Sequence, residues 1–220
     1  MRSAHEDPPR WIRANSYLGL VPWGPLASIG DKADARQTDL DNLARDNPDL
    51  DGPYGQGLLR LKWFPFVLTN ATLLHSVMLL AASHYESEHG SSSHGFDIFA
   101  LRSMAISGMN EHLLSPTSSL SDELVGAILH VAAYEALFGD RDAFAMHMSG
   151  LQKIVELRGG LSTLGLDGLL ERMLLWVDVN ATFATGFDIF FNKRDFPTRT
   201  EHPPLNLALF GARRDSHSRP

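Results

Sequence analysis

Proline is confined to the two ends of this chain. Seven of the twelve prolines lie at or before Pro65, and between Phe66 and Phe196 only Pro116 interrupts the sequence. A proline inside a helix removes a backbone donor and clashes with the carbonyl four residues back, so helices belong in that gap. Within it apolar residues recur at steps of three and four, and strand-type alternation is absent over any useful length. The pattern predicts an all-α fold, a bundle or array of about five roughly antiparallel helices joined by short connections. Residues 1–62 form an extended or disordered N-terminal segment with a short helix near Asp39 to Arg45. Residues 63–197 form the helical domain and 198–220 an irregular C-terminal tail.

The first helix begins after Thr69 or Asn70, either of which can cap it, and runs towards Glu88. Its stretch from Val77 to Ala82 is apolar all round, which places it near the centre of the bundle. A second helix, Phe96 to Leu113, carries an imperfect stripe of Phe99, Met104, Ile106, Met109 and Leu113. Ser119 or Ser121 caps a third, Asp122 to Phe138, with Leu124, Ile128, Val131 and Ala132 on one face. Asp167 caps the fifth, which runs through Leu170, Met173, Leu174, Val177 and Ala181.

The fourth helix, Arg141 to Gly160, is the most fully marked. Phe144, Met148, Leu151 and Val155 make its core stripe, with His147, Ile154 and Arg158 beside it. Asp140 and Asp142 complement the positive end of the helix dipole, and Gly159 stands where a left-handed cap is expected. Gly150 in its middle costs about 1 kcal/mol relative to alanine, so a close neighbouring backbone is the expected compensation.

Composition excludes several function classes. With no cysteine among 220 residues, thiol nucleophiles, disulfides and thiolate zinc sites are out of reach. From Val67 to Phe138 the only basic residue is Arg102, against seven acidic ones. A duplex-binding surface needs clustered Lys and Arg, so no direct nucleic-acid contact is expected, and an anionic membrane is disfavoured on the same ground. The longest apolar run, Val77 to Ala82, falls far short of the roughly 20 residues that span a bilayer.

No catalytic constellation emerges. His84, Glu86, His89 and His94 are the densest group of ligand types, but their spacing does not converge on a metal, and they read as surface residues. His75, His130 and His147 lie on or beside apolar faces, where a hydrogen-bonded core histidine is the default. Asn47 to Gly52 imitates the opening of a calcium loop but has Leu58 at the closing position, leaving a solvated acidic turn. Tyr134, Glu135 and Asp178 form either a buried polar network with His130 or His147, or the lining of a pocket. The catalytic, metal and cofactor expectation is none. Phe187, Ile189, Phe190 and Phe191 are too apolar for water and either return to the bundle or mark an interaction surface.

Taken together, Trp63 to His84, Asp122 to Asp140 with its Glu and Gly-Asp ending, His147 to Gly165, and Leu175-Trp176-Val177-Asp178 followed by Phe196-Pro197 resemble the fungal-specific transcription factor domain, the helical regulatory region of fungal zinc-cluster transcription factors. His147, Gly150, Leu151, Arg158, Gly159, Gly160, Trp176 and Asp178 fit the family's motif positions. The chain departs from the family by lacking the six-cysteine zinc cluster, and it looks like the first part of the helical region with a shortened tail. The resemblance implies a non-catalytic regulatory or protein-interaction module in the nucleus or cytoplasm. It would act through protein partners or a homodimer formed at Phe187 to Phe191, with room for a small-molecule effector. The alternatives are a ligand-binding protein or enzyme with a pocket near His130, Glu135, His147 and Asp178, and a degenerate fragment without independent function.

Overall fold

A computed structural model describes residues 57–89 and 97–198. The segment up to residue 56, with the helix expected near Asp39 to Arg45 and the acidic turn at Asn47 to Gly52, lies outside the described residues, as do residues 90–96 and the tail from 199. Among the described residues every regular element is helical. A π-helical turn, Leu59–Trp63, runs directly into a short α-helix, α1 (Phe64–Val67). Then follow α2 (Ala71–His89), α3 (Ile98–Leu114), α4 (Asp122–Leu137), α5 (Arg141–Arg158) and α6 (Leu169–Thr185), with two 3-10 turns, Leu161–Thr163 and Leu166–Gly168, between α5 and α6. The five expected helices are all present. The leading turn and α1 add to them, and Leu58, Leu59, Trp63 and Val67 are buried, so packed structure starts slightly before residue 63.

Helix α4 is the hub. It packs against α2, α3, α5 and α6, and twelve of its sixteen residues are buried, so it is enclosed on every side. Its sequence explains this: Gly126, Ala127, Ala132, Ala133 and Ala136 are small enough for neighbours to approach from all directions, while Leu124, Val125, Leu129 and Val131 fill the spaces. Trp63 lies over Gly126 and stacks on His130 with ring centres 5.1 Å apart. Helix α2 contributes Leu73, Val77, Leu79 and Leu80 to the same core, in keeping with its apolar stretch.

Helix ends follow local chemistry. Asn70 caps α2 by accepting from the Leu73 amide, Asp97 caps α3, Ser121 caps α4 and Asp140 caps α5. Asp167 does not cap α6. It sits in the left-handed region at φ 55° and pairs with Lys62 at 3.3 Å, and Gly168 takes the cap position.

The stripe expected on α3 is met only in part: Met109 is buried and Ile106 packs half-buried on the core, but the rest is set in a different register. Phe99 is 88% exposed, Met104 and Leu113 are also exposed, and the buried line is Leu101, Ala105 and Met109. The cause is steric. A Cβ at Gly108 would lie 2.2 Å from Thr72 Oγ1, so the glycine lets α2 and α3 approach closely and turns that face inward. His112, one turn further on, meets the side chain of Asn70 at 3.2 Å.

His84 is likewise not the surface residue its spacing suggested. It is buried, packs edge-on against Phe138 at 4.7 Å, and its Nε2 has no hydrogen-bond partner. Burial lowers its pKa to about 4, and burial does the same for His130, against the opposing effect of the bond between its Nδ1 and the Gly126 carbonyl. The unfolded chain protonates both rings near pH 6.5, whereas the folded chain keeps both neutral down to about 4. Stability is therefore complete above pH 6.5 and lost as pH falls through that window, at up to about 3 kcal/mol per pH unit for two protons. Urea unfolding midpoints measured from pH 7.5 to 4 should show this decline, and His84→Leu should roughly halve its slope; an unchanged slope would contradict the assignment.

Candidate functional site

The motif positions gather into three separate ties, each built around an acidic side chain. In the first, Glu135 near the end of α4 is 1% exposed. Its Oε1 accepts from Arg102 of α3 through Nε at 2.9 Å and a terminal nitrogen at 2.7 Å, and its Oε2 accepts the backbone amide of Asp140 at 2.9 Å. A Cβ at position 139 would overlap Glu135 Oε2, so only glycine lets the carboxylate close the turn between α4 and α5. The Glu, Gly and Asp of this segment thus make one joint: a carboxylate that reaches forward, a residue without a side chain in its path, and a cap for the next helix.

His147 stands beside this joint, half-buried. Burial lowers its pKa, with the Glu135 charge opposing that effect and Arg102 adding to it. Tyr134 is raised by burial and by Glu135. Of the four residues of the expected pocket, Glu135 and His147 are thus linked electrostatically. The other two are committed elsewhere: His130 to Trp63 and the Gly126 carbonyl, and Asp178 to the segment after α6.

The second tie is the Arg-Gly-Gly motif. Arg158 closes α5 and reaches back to the start of α4, pairing with Asp122 at 2.7 Å and donating to the Leu120 carbonyl at 2.9 Å. The same guanidinium donates to the Thr163 carbonyl at 2.6 Å, which fixes the turn that follows. Gly159 is left-handed at φ 95°, and the Gly160 amide bonds to the Val155 carbonyl, the six-to-one bond of a helix C-cap. Leu161 then drops into the core with no exposure. Five donors in a planar fork suit this multi-partner role, which a lysine could not fill.

The third tie involves Asp178, which is fully buried on α6. Its two oxygens accept the amides of Phe190 at 3.0 Å and Phe191 at 2.8 Å. Gln152 of α5 donates to the Phe190 carbonyl at 2.6 Å, so residues 187–198 are held along α5 and α6. Phe191 is completely buried against Phe196, with ring centres 4.8 Å apart, and Phe187 and Phe190 pack on Phe144. Thr198 donates to Glu171 at the other end of α6. Trp176, one turn before Asn180, is buried and its carbonyl accepts the Asn180 side chain at 2.8 Å.

Two expectations change here. Phe187, Phe190 and Phe191 return to the bundle, and of the four residues offered as an interaction surface only Ile189 is exposed, at 44%. The determining interaction is a carboxylate twelve residues upstream, which no local pattern around the phenylalanines announces. Gly150 is exposed, and a Cβ there would meet nothing within 4 Å, so among the described residues no close neighbouring backbone lies beside it, contrary to expectation. Leu151, by contrast, is fully buried, as expected. Arg102 and Asp122 take part in the ties without having been singled out in sequence; Arg102 was conspicuous only as the lone basic residue of its region.

Chemically, the polar groups of these three ties hold backbone and neighbouring side chains. Among the described residues no three of His, Asp and Glu are grouped as metal ligands, and no single helix is long and apolar enough to cross a membrane. A family model described as "Fungal specific transcription factor domain" matches residues 61–213. Comparison with curated proteins and with solved structures gives no match.

The ties predict opposite outcomes for two motif residues. Asp178→Ala leaves one buried and one part-buried amide without an acceptor and should cost about 3 kcal/mol in denaturant unfolding. Gly150→Ala adds a methyl group in open space to a helix interior and should stabilise by roughly 0.5–1 kcal/mol. A loss of stability with Gly150→Ala would show that something packs there.

Proposed function

We propose that this chain, which belongs to the fungal-specific transcription factor domain family, serves transcriptional regulation as a non-catalytic module that works through protein contacts. Family membership carries a transcription-regulatory role. The finer claim is supported by the way the motif residues are used: Arg158, Glu135 and Asp178 each expend their hydrogen-bonding capacity on the backbone and side chains of the fold. A catalytic carboxylate or base would instead be held within reach of a substrate.

The sequence contains no cysteine, so it cannot build a thiolate zinc cluster, and from Val67 to Phe138 Arg102 is its only basic residue. DNA recognition in this proposal lies outside residues 1–220. A nuclear site of action accords with the family. What the bundle offers a partner is its outer surface, where Phe99, Leu114, Met146 and Leu157 are the most exposed large apolar side chains.

The test is to fuse the full chain to a heterologous DNA-binding domain in a fungal reporter strain. A several-fold change in reporter output, up or down, is expected. Unchanged output from a fusion shown to be expressed, folded and bound at the promoter would overturn the proposal. Asp178→Ala should abolish the effect by loosening the fold, whereas His147→Ala should leave it largely intact.

A further inference from the structure

The turn between α3 and α4 contains the only Ser-Pro or Thr-Pro dipeptide among the 220 residues, Ser115-Pro116. Proline disfavours helical backbone in the residue before it, and this is why α3 stops at Leu114. Ser115 is thereby set at φ −94°, ψ 120°, an extended conformation, with Leu114, Pro116 and Thr117 exposed around it. Its hydroxyl is held only locally, by Thr117 Oγ1 at 3.0 Å. Neighbouring hydroxyls have structural employment: Ser118 donates to the His112 carbonyl and Ser121 caps α4. The remaining restraints on Ser115 are backbone turn bonds: its amide donates to the His112 carbonyl at 3.1 Å, and its carbonyl accepts the amides of Ser118 at 3.2 Å and Ser119 at 3.0 Å.

We infer that Ser115 is a phosphorylation site for a proline-directed serine/threonine kinase. Such an enzyme reads an extended Ser-Pro pair, and the following proline satisfies it because that residue brings no backbone donor to pair. In the transfer, Ser115 Oγ attacks the γ-phosphorus of a nucleoside triphosphate. The new O–P bond forms as the bond to the β-bridging oxygen breaks, the nucleoside diphosphate leaves, and the hydroxyl proton passes to the kinase's base.

The product would also act on the fold. A phosphate at residue 115 sits at the carbonyl end of α3, where the helix dipole is negative, and Glu111, Asp122 and Glu123 are the acidic residues nearest in sequence. The only basic residue in the last turn of α3 is His112, and Arg158 across the turn is already paired with Asp122. The added charge therefore weakens the last turn of α3, and with it the contact between His112 and Asn70 that ties α3 to the start of α2.

Incubation of the full folded chain with a proline-directed kinase and ATP, followed by peptide mass spectrometry, tests this directly. Close to one phosphate per chain is expected, on Ser115, and none on Ser115→Ala. A synthetic peptide covering residues 109–121 serves as control. Modification of the peptide but not of the folded chain, or of neither, would overturn the site, as would phosphate retained by Ser115→Ala. The phosphorylated chain should also melt a few degrees lower and exchange amides faster at residues 109–115 and 71–74; unchanged melting and exchange would overturn the coupling to α2.

Discussion

A helix enclosed on every side has no solvated face for its charges, and α4 meets that constraint by keeping its three carboxylates near its ends and pairing two of them. Asp122 at its start is bound by Arg158 of α5, and Glu135 near its finish is bound by Arg102 of α3 and by the amide of Asp140. From Leu124 to Ala133 the helix is apolar except for His130, which stacks on Trp63 and is held neutral by burial. Small residues in that interval let four helices reach it. A buried carboxylate left alone would be costly, so each pairing also fixes where the neighbouring element must lie. The position of α5 is set at both ends by this means, by Asp140 at its start and Arg158 at its finish.

The same device recurs on α6, where Asp178 and Glu171 hold the chain that follows. One carboxylate accepts two consecutive amides, and the phenylalanines between those points are drawn against Phe144 and Phe196. The segment has no regular secondary structure of its own, so side-chain acceptors on a helix replace the ladder or helix bonds that its backbone lacks. Family motifs in this chain are therefore legible as joints: Glu-Gly-Asp turns α4 into α5, Arg-Gly-Gly turns α5 back past the start of α4, and Trp-Val-Asp anchors what comes after α6. The regulatory role given to the chain rests on its family and on this consumption of motif groups by the fold, which leaves the outer surface as the part free to meet a partner.

Much of the fold was legible in the sequence, since the scarcity of proline between residues 66 and 196 and the periodic apolar residues locate all five long helices. Caps at Asn70 and Ser121, the acidic start of α5 and the left-handed stop at Gly159 followed from local chemistry, whereas the capping role of Asp140 was not read in advance. Contacts across elements were less legible. The register of α3 depends on Gly108 meeting Thr72, and the fate of Phe187 to Phe191 depends on Asp178; both are relations between helices that periodicity within one helix does not contain. Gly150 carries the opposite lesson, because the cost of a mid-helix glycine suggested close packing, and among the described residues nothing lies against it. His84 looked like a surface residue by its neighbours in sequence, yet the Phe138 ring covers it.

The central claim is that buried carboxylates hold non-helical backbone as firmly as the helices hold their own. Native-state hydrogen exchange at the amides of Asp140, Phe190 and Phe191 measures it most directly, since all three lie outside regular helix and bond to Glu135 or Asp178. Protection of these three amides at free energies close to that of global unfolding is the predicted result. Exchange at the rates of open loop residues, with the core of α4 still protected, would contradict it.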